Sequence, residues 1–488
     1  MNHIAEWALN LAEQRGASYA DARIVDDRSR ALATRNGKLA HASDSESLGI
    51  GIRVIADGAW GFAASDDLSR KRVEDTAAQA VAIARASARV KQEDVHLAPE
   101  EPVTAEWTSP CQIDPFTISV EQSLDLLLKI DQELMSVAGI TLAETGMNFR
   151  REESWFLSSE GANIHQTKHS SGAGYSAHSF AKNELMKRSY PNSFGGQWQN
   201  KGYELIAELK LLENARRVAE ESVALHKADQ CPEGIFTLVL DSSQLGLQIH
   251  ESVGHPIELD RVLGMEANFA GTSFLSIDKL NKLRYGSDLV NVVADARPEH
   301  GPGLGTFAFD DEGVPAQCTP IITNGLFTGF LTSRETAHTI SAARSGGTTR
   351  AEFWNRLPMI RMTNISILPG EKPLTLEQLI SGTDHGIFME TNKSWSIDDK
   401  RYNFQFGCEI GWEIKNGKRA RMLKNPSYSG ITTEFWNSMD AICSRDQWML
   451  WGTPNCGKGQ PQQVIGTGHG ASPARFRGVK VGSAYKGA

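Results

Sequence analysis

The residues best suited to chemistry are two histidines and a glutamate in the segment HESVGH, residues 250–255. A zinc site that hydrolyses peptides needs three protein ligands, an open position for water and a carboxylate that accepts a proton from that water. His250 and His255 can supply two imidazole ligands, and Glu251 can supply the carboxylate. The segment therefore indicates a zinc-dependent peptidase, with a spacing one residue longer than the common HExxH pattern.

The HExxxH spacing requires a departure from regular α-helical geometry if both histidines are to bind one ion. Positions five apart on an α-helix lie about 140° apart around its axis, so a regular helix cannot direct both rings at one ion. Gly254 tolerates an unusual backbone, and Pro256 disfavours the α region for His255. We expect the helix to widen into a π-bulge or to end at Gly254, which brings His255 beside His250. A straight α-helix through residue 258 would contradict this prediction.

The third ligand must come from elsewhere in the chain, and Cys456 is the best candidate. It lies in the glycine-rich turn GTPNCGKG, residues 452–459, which is unlike the surroundings of a packed core cysteine. A thiolate is a good zinc ligand, and Lys458 nearby favours the ionised form. Glu258 and Asp260 are alternative ligands, or acceptors that orient the histidine rings.

Other polar residues are interpreted more simply. His165 and His169 are expected to be solvated side chains of a strand-like stretch, and His469 in Gly-His-Gly is expected in a turn, with a substrate contact as the alternative. A peptidase also needs a donor that stabilises the oxyanion of its tetrahedral intermediate. The candidate donors, each with a surface or ion-pair role as the alternative, are Tyr402, Arg350 and Arg361.

The elements that must position these residues are predicted from hydrophobic periodicity and turn signals. Residues 1–228 are predicted as an α+β lobe in which two helix–meander–helix units, 1–92 and 116–228, are joined by a proline-rich linker. Residues 229–488 are predicted as a mainly β catalytic domain that carries a short metal-binding helix capped by Asp241 or Ser242. The fold class is thus a two-lobed α+β chain. Short strands are expected in the first meander at 19–25, 28–35, 38–42, 47–55 and 59–64.

Composition excludes several partners and favours one compartment. The 488 residues carry a net charge of -9 without a basic block, so neither nucleic acid nor an anionic membrane is an expected partner. No apolar run approaches the roughly 20 residues that span a bilayer. The amphipathic start lacks the features of a signal peptide, and the 6 cysteines form no CxxC pair. These features favour a cytoplasmic protein with reduced thiols.

Five sequence blocks, in the same order, resemble the TldD/PmbA family of metallopeptidases over most of the chain. The blocks are Asn36-Gly37-Lys38 with GIGIRVIADGAWGFAASDDLS (49–69), the HExxxH segment with Glu258 and Asp260, DDEGVPAQ (310–317), LPMIRMTNISILPG (357–370) and NCGKGQ (455–460). Together they are far more specific than HExxxH alone.

The resemblance implies a zinc peptidase in which His250, His255 and Cys456 hold the ion and Glu251 is the general base. It implies a two-lobed subunit that dimerises around an enclosed cavity, either with its own copy or with a PmbA-like subunit that lacks the metal motif. The family acts on unfolded or short peptides, including the trimming of precursor peptides. This chain keeps the full motif and is therefore similar to the catalytic partner.

Two departures from the family pattern bear on substrate choice. Pro256 replaces the glycine expected after the second histidine, and residues 391–414 are bulkier and more charged than the glycine-rich stretch of well-known members. That stretch is expected to line or neighbour the cleft. The alternative functions are a non-catalytic, peptide-binding partner subunit and a metal-dependent amidase acting on small molecules.

Overall fold

The computed structural model describes residues 1–268 and 271–482 and shows a mixed α+β chain, as predicted. The last six residues of the predicted C-terminal domain, 483–488, lie outside the described part. The helices are α1 Asn2–Gln14, α2 Arg70–Ala88, α3 Val120–Met135, α4 Glu204–Glu208, α5 Leu211–Ala224, α6 Ser242–Ile249, α7 Leu259–Val262, α8 Leu376–Ser381 and α9 Thr432–Asn437.

The first 200 residues build one large sheet. Its strands are β1 Tyr19–Arg35, β2 Lys38–Ala56, β3 Ala59–Ser65, β4 Thr104–Thr108, β5 Ile140–Ser158, β6 Asn163–Ala181, β7 Glu184–Tyr190 and β8 Gln197–Gln199. They follow the order β3-β2-β1-β5-β6-β4, and β7 and β8 also pair with β6. The predicted proline-rich linker therefore contains a strand, because β4 pairs in parallel with β6.

The first meander has two long strands where the sequence pattern predicted four short ones. Polar residues between the apolar stretches suggested breaks, but they continue the ladder because they pair across it. Arg30 lies directly opposite Asp44, and its Nη2 is 2.8 Å from the Asp44 carboxylate. Arg28 bonds the same carboxylate at 3.3 Å. Opposite charges on facing residues stabilise a two-stranded ribbon that extends beyond the apolar core.

Helices pack on this sheet in two groups. α1 and α2 bury small apolar side chains against β1 to β3, and α3 and α5 do the same against β5 and β6. The approach of α2 is so close that a Cβ on Gly61 of β3 would lie 2.0 Å from the carbonyl oxygen of Ala80. Glycine at that position therefore sets the distance between helix and sheet.

The remaining described residues are mainly strands and turns with short helices, as predicted. A second sheet consists of β9 Asp229–Gln230, β10 Gly234–Leu240, β17 His385–Ile397, β18 Asn403–Lys415, β19 Lys418–Lys424, β20 Ser427–Ile431, β21 Met439–Ile442 and β24 Ala474–Val481. Smaller sheets use β11 Val292–Asp295, β12 Cys318–Thr323, β13 Leu326–Phe327, β14 Thr349–Arg350, β15 Met359–Ile360, β16 Ile365–Ile367, β22 Met449–Lys458 and β23 Gln463–Ala471.

The second sheet closes on itself. Its order is β17-β10-β24-β20-β18, and β17 also pairs with β18. The antiparallel β22–β23 hairpin stands apart from this ring and carries Cys456. α6 follows β10 directly and lies in the largest hydrophobic core of the chain.

Buried arginines of the first sheet bind residues of the C-terminal part. Arg53 of β2 is 2.7 Å from the carboxylate of Asp21 and 3.1 Å from that of Glu312. Arg23 of β1 is 2.9 Å from the Asp311 carboxylate. Each of these guanidinium groups lies inside the protein, where breaking such a pair leaves an uncompensated charge. The division into two lobes at residue 228 stays a prediction.

Across residues 1–268 and 271–482, no helix combines the length and the apolar character needed to cross a membrane.

Candidate metal centre

α6 delivers the HExxxH segment into the core. Its N-cap is Asp241, one of the two predicted residues, whose carboxylate accepts hydrogen bonds from the backbone N–H groups of Ser243 (2.9 Å) and Gln244 (3.1 Å). The buried Gln244 amide nitrogen donates to the Tyr428 hydroxyl at 3.0 Å, and that hydroxyl donates to the Gln248 amide oxygen at 2.9 Å. Satisfied polar groups allow a helix with polar residues to remain fully inside the protein.

The predicted widening of the helix is present. Residues His250–Gly254 form a π-helix directly after α6, and the His255 N–H donates to the His250 carbonyl oxygen at 3.2 Å. This five-residue hydrogen bond adds one residue to the turn, so positions 250 and 255 face the same side. The two imidazole centroids lie 4.8 Å apart.

The route to this geometry differs from the prediction in two details. His255 stays in the α region, with φ -67 and ψ -41, although Pro256 follows it. Pro256 has no backbone N–H to donate to the Ser252 carbonyl oxygen one helical turn earlier. The Tyr285 hydroxyl donates to that oxygen instead. Gly254 is required by packing, because a Cβ there would lie 2.1 Å from the Met362 sulfur.

His250, His255 and Cys456 meet at one point in the core. One ligand atom from each lies within 4.8 Å of the others, and the Cys456 Sγ is 4.0 Å from the His255 Nε2. All three residues are buried. Ligand atoms around tetrahedral zinc are about 3.5 Å apart, as follows from its bond lengths. The distances between the three candidate ligand atoms are therefore somewhat longer than those around a bound zinc ion, and the residue types are those that bind zinc.

The outer nitrogen of each imidazole has a partner that leaves the inner nitrogen available. The His250 Nδ1 is 2.7 Å from the His469 Nε2, and the His469 Nδ1 is 3.2 Å from the Ile365 carbonyl oxygen. Since a carbonyl only accepts, His469 carries its proton on Nδ1 and accepts from His250. The Nε2 of His250 is then an unprotonated ligand. The His255 Nδ1 likewise faces the Glu258 carboxylate at 3.0 Å.

His469 is a residue whose role sequence reasoning missed. It was expected in a turn, but it lies on β23 and is buried. Burial and the neighbouring His250 hold the pKa of His469 well below its usual range, which keeps the ring neutral. Its flanking glycines were the available signal. A Cβ on Gly468 would lie 2.1 Å from Asn364, and one on Gly470 would lie 1.9 Å from Trp448.

Replacing His469 by alanine should weaken metal binding without removing a ligand. Without its acceptor, the His250 ring loses both its fixed orientation and its tautomer, and loss of such an outer contact costs about 10–100-fold in metal affinity. Competition with a zinc chelator measures the change. His165→Ala is the matched control, because that ring stacks on Trp155 away from the centre. Equal affinities of His469→Ala and wild type would contradict this role.

Glu258 and Asp260 lie outside the ligand set and form a buried charge cluster beside it. Glu258 accepts from His255 and from Arg261, whose Nη2 is 3.2 Å away. The Lys458 ammonium lies 2.7 and 2.8 Å from the two Asp260 oxygens and 3.4 Å from Glu258. Glu258 matches the predicted acceptor that orients a ring, whereas Asp260 accepts from Lys458 and from the Arg261 backbone N–H. The charges balance, as burial requires.

The pKa of the Cys456 thiol is lowered by His255 and Arg361, whereas the predicted Lys458 pairs with Asp260. Burial raises the pKa of the thiol, but His255 and the charge of Arg361 together outweigh burial, so the pKa is lowered. The Arg361 guanidinium also donates to the Cys456 carbonyl oxygen. A buried thiol with a lowered pKa is suited to metal binding.

Glu251 follows the candidate ligand His250 in the chain, and its side chain faces a cation. It is buried, and its Oε2 is 3.0 Å from the Nη1 of Arg401. Arg401 belongs to residues 391–414, the stretch expected to neighbour the cleft, and it sits in the turn between β17 and β18. Sequence analysis did not single out this arginine. A basic residue at the tip of an unusually charged hairpin was the only available signal.

Two of the predicted oxyanion donors hold main chain and the third packs on an aromatic ring, and their predicted role stays a prediction. Arg350 donates to the Gly466 carbonyl at 3.0 Å and to that of Met362. Arg361 donates to the Gln463 carbonyl at 3.2 Å as well as to Cys456. Both guanidinium groups therefore hold main chain around the β22–β23 hairpin. The ring of Tyr402 packs on that of Phe274, with centroids 5.1 Å apart.

The two histidines expected to be solvated are partly or wholly enclosed. His165 stacks on Trp155 with ring centroids 5.0 Å apart, and its Nε2 is 2.9 Å from the Glu153 carboxylate. His169 is buried, and burial lowers its pKa. The prediction of solvated side chains is wrong for His169, because the segment that contains Ser109 covers this part of β6.

A cavity of about 350 Å³ lies between the first sheet and the β22–β23 hairpin. Its lining includes Arg150 and Trp198 from the first part of the chain and Arg350, Pro454 and Ile465 from the C-terminal part. Ile465 is the cross-strand partner of Cys456. The cavity therefore borders the strand pair that supplies the thiol.

Comparison with protein families gives two matches. The model described as "PmbA/TldA metallopeptidase C-terminal domain" matches residues 233–483, and the model described as "PmbA/TldA metallopeptidase domain 1" matches residues 20–84. Among curated relatives, the metalloprotease MJ0996 of Methanocaldococcus jannaschii is 28% identical over 455 residues, which cover 93% of this chain and 95% of the relative. The zinc metalloprotease TldD homolog of Saccharolobus solfataricus is 24% identical over 487 residues, covering 97% and 98%.

Solved structures share the whole fold at low sequence identity. A Thermotoga maritima protein named as a modulator of a DNA gyrase superposes with a TM-score of 0.77 at 17% identity, covering 99% of this chain and 100% of that chain. TldE from Thermococcus kodakarensis superposes with a TM-score of 0.72 at 15% identity, covering 98% and 100%. These likenesses extend along the chain from the first sheet to the metal centre.

Proposed function

The chain belongs to the PmbA/TldD metallopeptidase family, and from that premise we propose that it is a zinc-dependent peptidase acting on unfolded or short peptides, including precursor peptides that are trimmed. One observation carries the proposal. His250, His255 and Cys456 form a single buried group, and Glu251, the residue after His250, is also buried. This is the ligand count and the general base that metal-dependent peptide hydrolysis requires.

The donor set favours zinc. Two imidazole nitrogens and one thiolate match catalytic zinc sites, which keep a fourth position for water or substrate. The fixed tautomer of His250 and the lowered thiol pKa of Cys456 supply ligands in the form that binds a metal. Zinc bound there would acidify a water molecule and polarise the carbonyl of the scissile bond.

The residues of this chain divide the remaining tasks. Glu251 takes a proton from the attacking water and delivers it to the leaving amine. His469 and Glu258 fix the orientation of the His250 and His255 rings by binding the Nδ1 atom of each ring. Arg361 and Arg350 hold the backbone around Cys456, so the thiol keeps its place between strands β22 and β23.

Replacing Cys456 by serine should remove zinc and activity together. The neutral hydroxyl is a poor substitute for a thiolate, so the centre retains two good ligands and its affinity falls steeply. The full-length protein, purified with zinc and then dialysed, should contain about one zinc per chain in the wild type and little in the variant. Cleavage of a mixed-sequence library of unfolded peptides should be lost in parallel.

Cys111→Ser is the matched control, because Cys111 lies in the N-terminal part and should leave both measurements unchanged. Stoichiometric zinc in Cys456→Ser would contradict the ligand assignment. A wild type that binds zinc but cleaves no peptide would favour the alternative, a non-catalytic subunit that binds peptides. Cleavage of small amides in place of the peptide library would favour an amidase.

We include a second subunit in the proposal, either another copy of this chain or a PmbA-like partner. The solved TldE structure supports it only as a fold that such a partner can have. Light scattering of the purified chain, alone and mixed with a PmbA-like chain from the same source, measures which pair forms. A monomer under both conditions would count against a paired enzyme.

A further inference from the structure

Arg401 is the residue that links the β17–β18 hairpin to the reacting centre. Its Nη1 lies 3.0 Å from the Glu251 Oε2, and the two side chains are only 17% and 7% exposed. The pair joins positions 150 residues apart in sequence. An arginine so close to the proton-accepting carboxylate affects the charge of the site during the reaction.

The hairpin tip holds Arg401 in a demanding conformation. Its φ is 62, in the left-handed region that favours glycine. The Asp398 carboxylate fixes the turn by accepting from the backbone N–H groups of Tyr402 (2.7 Å) and Asn403 (3.1 Å). The Thr432 hydroxyl donates to the Arg401 carbonyl at 2.9 Å. A strained residue that the surrounding bonds hold in place is typical of functional positions.

The ion pair gives Arg401 a task that changes within the catalytic step. Before the step, the Arg401 cation balances the Glu251 carboxylate. Water then forms a bond to the carbonyl carbon, the π electron pair moves to the carbonyl oxygen, and the water proton passes to Glu251. Glu251 becomes neutral as the negative charge appears on that oxygen, so the total charge is unchanged and the oxyanion charge replaces the carboxylate charge that Arg401 faced.

Resting on the proposed function, we infer that Arg401 is a catalytic residue that stabilises the oxyanion of the tetrahedral intermediate. The guanidinium carries several N–H donors in one plane and can bridge from the Glu251 carboxylate to an oxygen beside it. Of the three donors expected from the sequence, Arg350 and Arg361 hold main chain around the β22–β23 hairpin, and the Tyr402 ring packs on Phe274. Arg401 is a guanidinium that the structure directs at Glu251 itself.

Arg401→Gln tests the inference in the full-length, zinc-loaded protein. With a peptide selected from the mixed library, kcat should fall about 10²–10³-fold while KM changes by less than about threefold, since the lost contact exists only in the transition state. Arg401→Lys, which keeps the charge but not the planar fork, should recover part of the rate. Zinc content should stay at the wild-type value, and the assays are run well below the thermal unfolding midpoint of the variant, which is expected to fall because buried Glu251 loses its cation.

A binding measurement separates this role from support of Glu251 alone. The probe is a phosphinic analogue of the selected peptide, whose tetrahedral anion imitates the intermediate. Arg401→Gln should weaken its binding by about the factor lost in kcat. The parent peptide should bind with equal affinity to the Glu251→Gln variant and to the double variant that also carries Arg401→Gln. Equal losses for both probes would overturn the inference, because they indicate ground-state binding.

Lys400→Gln is the matched control, since its side chain is exposed on the same turn and its charge is removed in the same way. It should match wild type in both assays. If wild type cleaves the peptide and Arg401→Gln retains its kcat, the inference fails and the proposed function stands. If zinc-loaded wild type cleaves no peptide, the proposed function fails and the inference falls with it.

Discussion

Glu251→Gln is expected to lower the rate of peptide hydrolysis by about 10³-fold while zinc stays bound. Glutamine has the size and shape of glutamate, and its amide oxygen can still accept from Arg401, so the side chain keeps its place. It cannot accept the proton of the attacking water, which removes general-base assistance. The measurement is single-turnover cleavage of the library-selected peptide, together with zinc content by atomic emission.

The control for this change is Glu335→Gln, an equal substitution at a carboxylate that is 3.1 Å from the Trp60 Nε1 and is not one of the candidate ligands. Its rate should equal that of wild type. A Glu251→Gln rate within tenfold of wild type would assign the proton transfer to another group. Loss of zinc from Glu251→Gln would show that the substitution disturbs the ligands themselves.

Lys458→Met is expected to destabilise the folded protein by about 3–5 kcal/mol. The Lys458 ammonium is fully buried, and its three short contacts are to the two Asp260 oxygens and the Ile360 carbonyl. Methionine fills a similar volume but leaves two buried carboxylates, Asp260 and Glu258, facing one fewer cation. Uncompensated buried charge of this kind is among the largest single-residue effects on stability.

The shift in the urea unfolding midpoint, converted with the slope of the transition, measures this change. Lys71→Met is the matched control, because Lys71 pairs with Asp75 on the surface of α2 and its removal should leave the midpoint unchanged. A Lys458→Met midpoint equal to that of wild type would mean that one carboxylate of the cluster is protonated in the folded state.

The local part of the site could be predicted from sequence because its signals are local. Asp241 before a short apolar run specified the N-cap of α6, and the spacing of His250 and His255 required a wide turn that the π-helix provides. Cys456 was found because a cysteine in a glycine-rich segment is unlike a packed one. In each case the physical requirement and the residues that meet it lie within a few positions.

The partners of these residues could not be predicted, because the fold brings them from distant strands. His469 and Arg401 lie 219 and 150 positions from the residues they contact. Lys458 was assigned to the wrong neighbour for the same reason, since its counter-ion Asp260 is 198 positions away. The sequence proximity of Lys458 to Cys456 suggested that Lys458 lowers the pKa of the thiol, but the residues that lower it are His255 and Arg361.

The fold shows the same contrast. The α+β class and the mainly β character of the C-terminal part follow from periodicity, which is a property of each segment. The continuity of β1 and β2 does not, because it depends on charges that face each other only after the strands pair, such as Arg30 and Asp44. Parallel pairing of β4 with β6 is likewise invisible in a proline-rich stretch.

The arginines of the first sheet have a consequence for how this protein can be dissected or recombined. Glu312 receives Arg53 from the first sheet and the hydroxyl of Thr349, the neighbour of Arg350. The C-terminal part that holds the candidate metal centre therefore depends on the first sheet for its charge balance. A chimaera joined near residue 228 needs basic residues in its N-terminal half at the positions of Arg53 and Arg23. Without them, the carboxylates of Glu312 and Asp311 lose their cations. Exchange of segments between distant relatives should give a folded protein only where the arginines and the carboxylates that pair with them come from the same relative.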